Sequence, residues 1–150
     1  MKPKTRDKSI GAQMAIALQL MKRKNHKAIL DIGHKITMEQ LAILEELATN
    51  GEMNMTQLAD AIWKQNANIT RMVDKLEGKE LIARMPVAGD RRANLLVITE
   101  KGKQVFKEVL AVVIKKNKDT WSYITVEERE LMLGITKKLI TGLTKSSKDS

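Results

Sequence analysis

No cysteine occurs among the 150 residues. That removes a disulfide framework, a thiol nucleophile, thiolate-bound zinc, iron–sulfur clusters and any thiol redox switch. Aromatic side chains are scarce, and Trp63, Phe106, Trp121 and Tyr123 are all of them. Surfaces that grip single strands stack bases on aromatic platforms, so single-stranded nucleic acid is a poor fit. Two prolines and eight glycines suit helices better than a many-turned β sandwich. No apolar run is long enough to span a membrane, and Lys2, Lys4, Arg6 and Lys8 are not followed by the apolar stretch of a signal peptide. The expectation is a soluble, cytoplasmic protein. Catalytic signatures are missing as well: no phosphate-binding glycine loop, no dinucleotide fingerprint, no nucleophile elbow. Glu45 and Glu46 are neighbours on a helix and point apart, so they make no acid/base pair. His26 and His34 lack ligand spacing. Neither an enzyme nor a cofactor or metal protein is expected.

What is present is charge. The formal net charge is +9, which points to an anionic partner. The excess is uneven: +7 over residues 1–35, −4 over 36–53, and +3 over each of 54–103 and 104–150. A chain of this length buries roughly 68–70% of its unfolded surface and can hold a core without staples.

Apolar residues at Ile10, Met14, Ala17, Leu18, Met21, Ala28, Ile29 and Ile32 recur at helical steps from Ser9 to about Asp31. Thr37 with Gln40 is a capping-box start for a second helix, with Leu41, Leu44 and Leu47 inward and Asn50-Gly51 as its stop. Asn54 with Gln57 opens a short third helix, and a turn around Trp63–Gln65 leads into a helix from Asn66 to Glu77. Its inward stripe is Ile69, Met72, Val73 and Leu76; Asn68, Thr70, Arg71 and Lys75 face out, and Gly78 ends it. Two apolar runs, Leu81–Met85 and Asn94–Ile98, flank a polar loop over 86–93, which predicts a β-hairpin with a charged tip. Thr99 caps a long helix to about Ser122, lined inward by Val105, Phe106, Val109, Val112 and Val113. Thr125 with Glu128 caps the last helix, whose apolar side is Leu131, Ile135, Leu139, Ile140 and Leu143.

A short helix turning into an outward-polar helix, then an arginine-bearing hairpin, is the order of a winged helix-turn-helix. Asparagine can pair with adenine and arginine with guanine in the major groove, while an inserted arginine favours a narrow minor groove. The candidate duplex contacts are therefore Asn66, Ala67, Asn68, Thr70, Arg71 and Lys75 on the reader helix, and Asp90, Arg91 and Arg92 on the wing. By themselves an arginine pair or a polar helix face are ordinary solvated surface; the two features side by side give them meaning.

Three segments, Met55–Ile62, Ile69–Glu77 and Asp90–Gly102, resemble the multiple-antibiotic-resistance regulator (MarR) family. The most specific part is Asp90-x-Arg92 followed by Thr99-x-x-Gly102. The resemblance implies a mainly α winged helix over 37–103, with helices over 9–35 and 104–144 forming a dimerisation region. It implies a homodimer regulating transcription on double-stranded DNA, relieved by a small-molecule effector, with Arg92 in the minor groove and Asp90 bracing it. The chain departs from the family pattern at Trp63, where glycine is usual, and at Gln65, where serine or aspartate is usual. It departs again at Leu76-Glu77-Gly78-Lys79-Glu80, where the glycine stands two places early. Structured-RNA or nucleoid binding without sequence preference, and a dimeric module that has lost DNA binding, stay open as alternatives.

Overall fold

Five of the helix starts are set by residues that sit beside them in sequence. In the computed structural model, which describes residues 9–62 and 66–146 and only the backbone of 66, 67, 90–93 and 146, the elements run α1 (Ile10–Asp31), α2 (Met38–Asn50), α3 (Met55–Ala61), α4 (Asn66–Glu77), β1 (Ile82–Val87), β2 (Asp90–Ile98), α5 (Glu100–Trp121) and α6 (Val126–Ser146). Ser9 Oγ accepts from the Ala12 N–H at 3.4 Å. Three expected capping boxes close on both sides. Thr37 and Gln40 exchange bonds of 3.2 Å each, Asn54 and Gln57 bonds of 2.9 and 2.8 Å, and Thr125 and Glu128 bonds of 2.8 and 3.2 Å. Such a cap contributes about 1 kcal/mol and fixes where the helix begins. The turn expected over Trp63–Gln65 lies outside the described residues.

The ends of α1 and α4 share one closure. At α1 the Gly33 N–H bonds Leu30 O and the His34 N–H bonds Ile29 O, with Gly33 at φ +85°. At α4 the Glu80 N–H bonds Glu77 O at 2.7 Å and the Leu81 N–H bonds Leu76 O at 3.0 Å. This is the Schellman arrangement, which needs a left-handed residue after the cap. Here that residue is Glu80, at φ +61°. The helix ends at Glu77 with Gly78 next, as expected, but the left-handed turn that closes it falls two residues later, at Glu80. Likewise Gly51 alone turns the chain after α2, while Asn50 stays helical and donates to Glu46.

The hairpin is longer than its sequence suggests. The strands pair antiparallel from Ile82↔Ile98 to Pro86↔Asn94, and then Val87 pairs with Asp90. The tip is therefore Ala88-Gly89. Residues 90–93, expected in a loop at the tip, belong to β2, and the ladder shifts register just beyond Pro86. Proline has no N–H to donate, so an even ladder cannot run through it, and the surplus residues form a bulge. Arg91 and Arg92 therefore lie on the bulged strand, not on the turn. The base of the hairpin gains a further tie that the sequence did not signal: Met53 and Leu96 exchange N–H···O bonds of 3.2 and 2.7 Å.

Contacts divide the chain into two units, one up to Lys116 and the other from Asn117. In the first, Ile29, Ile43, Leu44, Leu58, Ile69, Val73, Leu76 and Val109 are wholly buried, together with Leu81, Ile82 and Leu96 from the hairpin base. Burying such a side chain contributes roughly 1.5–3 kcal/mol. Met72, expected inward, is half-buried at the edge of this core. The second unit holds the end of α5 and all of α6. Leu131, Ile135, Leu139 and Leu143 are exposed along α6, Leu143 by 68%. Its threonines turn inward on the helix: Thr136 Oγ1 donates to Met132 O, Thr141 Oγ1 to Lys137 O at 2.9 Å and Thr144 Oγ1 to Ile140 O at 2.9 Å.

Candidate nucleic-acid interface

Helix α4 carries an apolar face that anchors it and a polar face that it offers to solvent. Ile69, Val73 and Leu76 are fully buried, while Asn68, Thr70, Arg71 and Lys75 are exposed, as the sequence suggests. With about 100° between successive residues, Asn68, Arg71 and Lys75 form one stripe. Thr70, Asp74 and Glu77 form a second stripe on the other flank. Asn66 and Ala67 open the helix; their side chains, like those of Asp90, Arg91 and Arg92 on β2, lie outside the described residues.

The two acids of the second stripe meet the hairpin. Arg84, on the inner face of β1 two residues beyond buried Ile82, donates from Nη2 to Asp74 Oδ1 at 2.6 Å and from Nη1 to Glu77 Oε2. The side chain of Arg84 is 27% exposed, that of Asp74 57%. The Asp74 hydrogen bond foremost, with both carboxylate charges adding, holds the Arg84 guanidinium still more firmly protonated. None of these three stood out in the sequence as a functional residue. The signal available was an arginine inside an apolar strand run, with two acids one turn apart on the reader helix.

Lysines gather at the end of α4. Lys79 Nζ donates to Lys35 O; burial, then the charges of Lys75 and Lys35, lower its pKa. Lys101 pairs with Glu80 at 2.7 Å, and that hydrogen bond lowers the Glu80 pKa. On the α1–α2 side Lys22 pairs with Glu39 at 2.8 Å. A cleft of about 320 Å³ there is lined by Lys22, Arg23, His26, Thr37, Met38 and Glu39. His34 Nε2 lies 2.7 Å from Glu108 Oε2 on α5, the contact that chiefly lowers the Glu108 pKa. Among the described residues, no three His, Asp or Glu side chains gather as a metal-ligand set, and no helix is long and apolar enough to cross a membrane.

The hairpin joins α5 through a close backbone approach. The Thr99 N–H donates to Leu81 O at 3.0 Å, and Thr99 Oγ1 accepts from the Gly102 N–H at 2.9 Å. A β-carbon on Gly102 would stand 2.0 Å from Leu81 O. The spacing Thr99-x-x-Gly102 is therefore a packing requirement: the hydroxyl caps the helix and the missing side chain lets its first turn rest on the wing.

Residues 36–93, from just before α2 into β2, match the model of the MarR family. The chain is 32% identical over 130 residues to the HTH-type transcriptional repressor MdtR of Bacillus subtilis, covering 85% of this chain and 84% of that one. A probable transcriptional regulator from Pseudomonas aeruginosa superposes with a TM-score of 0.81 at 25% identity, over 89% of this chain and 98% of its own. The transcriptional repressor CouR, solved bound to a 23-mer DNA duplex, superposes with a TM-score of 0.84 at 21% identity, over 93% and 98%. On its sequence likeness to MdtR and its shared winged-helix architecture, the chain belongs to the MarR family of transcriptional regulators.

Proposed function

We propose that this regulator is a homodimeric repressor that grips a pseudo-palindromic duplex and lets go when a small ligand binds. The observation that carries the reading is the exposed Asn68–Arg71–Lys75 stripe on a helix whose opposite face is locked in the core. In the proposed complex two such helices enter successive major grooves about 34–36 Å apart. Asn66, Ala67, Asn68, Thr70 and Arg71 meet base edges, and Lys75 meets phosphate. On the wing, Arg92, braced by Asp90, reads the minor groove beside Arg91. Residues 37–103 are the duplex-binding part, and 9–35 with 104–144 the dimerisation part. The exposed leucines and isoleucines of α6 favour a partner chain, because contiguous apolar surface of this kind is seldom left in water. That CouR was solved on a duplex supports double-stranded DNA as the partner. The cleft at Lys22, Arg23 and His26 has the volume of a small-molecule site, and its basic lining suits an anionic effector.

Selection of bound sequences from a random duplex pool tests this. An inverted repeat with half-sites one helical turn apart is the expected result. Uniform retention of every sequence would identify a non-specific nucleoid or RNA binder, and no retention a dimeric module without DNA binding; either overturns the proposal.

A further inference from the structure

We infer that Arg84 is a positioning residue for duplex recognition: it keeps the carboxylates of Asp74 and Glu77 off the phosphate backbone and sets the wing against the reader helix. The inference rests on the reading of α4 and the hairpin as the duplex-binding surface. Asp74 stands about 60° around α4 from Arg71, on the outward side of the helix, and remains more than half exposed. An unpaired carboxylate there would face a polyanion, and like charges set against each other weaken association. Glu77, one turn on, adds a second.

One guanidinium answers both acids. Its planar fork offers several donors at fixed angles, so it can hold two carboxylates at once, which a lysine ammonium on a flexible stem does less well. Its position is firm because β1 is anchored beside it: Ile82 is buried on the same face, and Leu96, the register partner of Arg84, is buried too. The same contact therefore ties a strand of the wing to the helix. Major-groove and minor-groove contacts on one duplex require those two elements at a set spacing. Arg84 thus has two separable effects, one electrostatic and independent of base sequence, the other geometric and felt at the positions the wing reads.

The test measures binding of the full chain to its selected duplex, to variants in the flanking positions, and to random duplex, across salt concentrations. Arg84→Met is expected to weaken binding to selected and random duplexes alike by about tenfold at low salt, because like-charge repulsion is restored, with the deficit shrinking as salt screens it. Flank preference is expected to fall as well. Adding Asp74→Asn and Glu77→Gln to Arg84→Met should return random-duplex binding to near the wild-type level while flank preference stays lost. A merely structural arginine would show no such split. Arg84→Lys, which keeps the charge, covers the case in which Arg84→Met does not fold: random-duplex binding should stay near wild type and flank preference should drop. Wild-type affinity and flank preference in Arg84→Met, or in Arg84→Lys if Arg84→Met does not fold, would overturn the inference, as would a triple variant that recovers nothing. A wild-type chain that binds no duplex overturns instead the reading on which the inference rests.

Discussion

Replacing Gly102 by alanine adds a single methyl group at the junction of wing and α5. Its carbon would meet Leu81 O at 2.0 Å, Ile98 Cγ1 at 2.8 Å and Leu81 C at 2.9 Å. Comfortable separation is about 3.5 Å, so the carbonyl must retreat by roughly 1.5 Å. Leu81 O is also the acceptor for the Thr99 N–H, and that bond cannot survive such a move intact. Overpacking of a tight site costs about 1–3 kcal/mol; the lost hydrogen bond adds about 1 kcal/mol, and the better helix propensity of alanine returns up to about 1 kcal/mol. Because the overlap is with backbone, the net should sit near the upper end, about 3 kcal/mol. For a chain of this size that lowers the melting temperature by about 6–12 °C. The assay is thermal unfolding followed by circular dichroism at one fixed protein concentration, with Gly78→Ala as control. At Gly78 the nearest atom to an added carbon is Asp74 O at 3.4 Å, and the change should stay within about 0.5 kcal/mol. If Gly102→Ala melts with the wild type, the carbonyl yields freely and the argument from close approach is wrong.

Glu80→Gly should raise the melting temperature by about 2 °C, since it relieves a left-handed residue that carries a side chain; a lower value would mean that the exposed Lys101 pair outweighs the backbone. Glu39 titrates below its ordinary 4.5 because Lys22 holds its charged form. The advantage of wild type over Glu39→Gln should therefore be complete above about pH 4.5 and vanish as the pH falls through the lowered value. Melting of both proteins at stepwise lower pH from 7 downward checks it, and a gap that does not narrow on acidification would refute it. Leu139→Lys places a charge on the exposed apolar side of α6 and should raise the dissociation constant of the proposed dimer about tenfold; sedimentation equilibrium showing an unchanged dimer would count against α6 as the interface.

Much of this architecture is written in short-range signals. Thr37 with Gln40, Asn54 with Gln57, and Thr125 with Glu128 announce helix starts because both partners lie within four residues. The stripe Ile69–Val73–Leu76 announces the buried face of α4 by spacing alone. The hairpin was only half legible. Pro86 and the charged residues over 90–93 have loop composition, yet the strands run through them and only Ala88-Gly89 turns, since a bulge absorbs the mismatch and composition does not encode pairing. The Met53–Leu96 tie joins residues more than forty apart through backbone groups, which leave no mark on side-chain pattern. Arg84 escaped notice for a related reason: its meaning comes from two acids on another element. Glu80 is a subtler case, because the displaced glycine was visible in the sequence but its consequence, a left-handed glutamate, was not.

The threonines of α6 change what that helix can do. A hydroxyl that reaches for solvent must be dehydrated before its surface can lie against anything dry, and if no replacement acceptor appears the loss is of order 1–3 kcal/mol. Thr136, Thr141 and Thr144 have already turned their hydroxyls onto carbonyls one turn back. To an approaching surface they show methyl groups. A side of the helix that carries three threonines therefore presents hydrocarbon between Leu133, Ile140 and Leu143, and it can become waterless there without orphaning a single threonine oxygen.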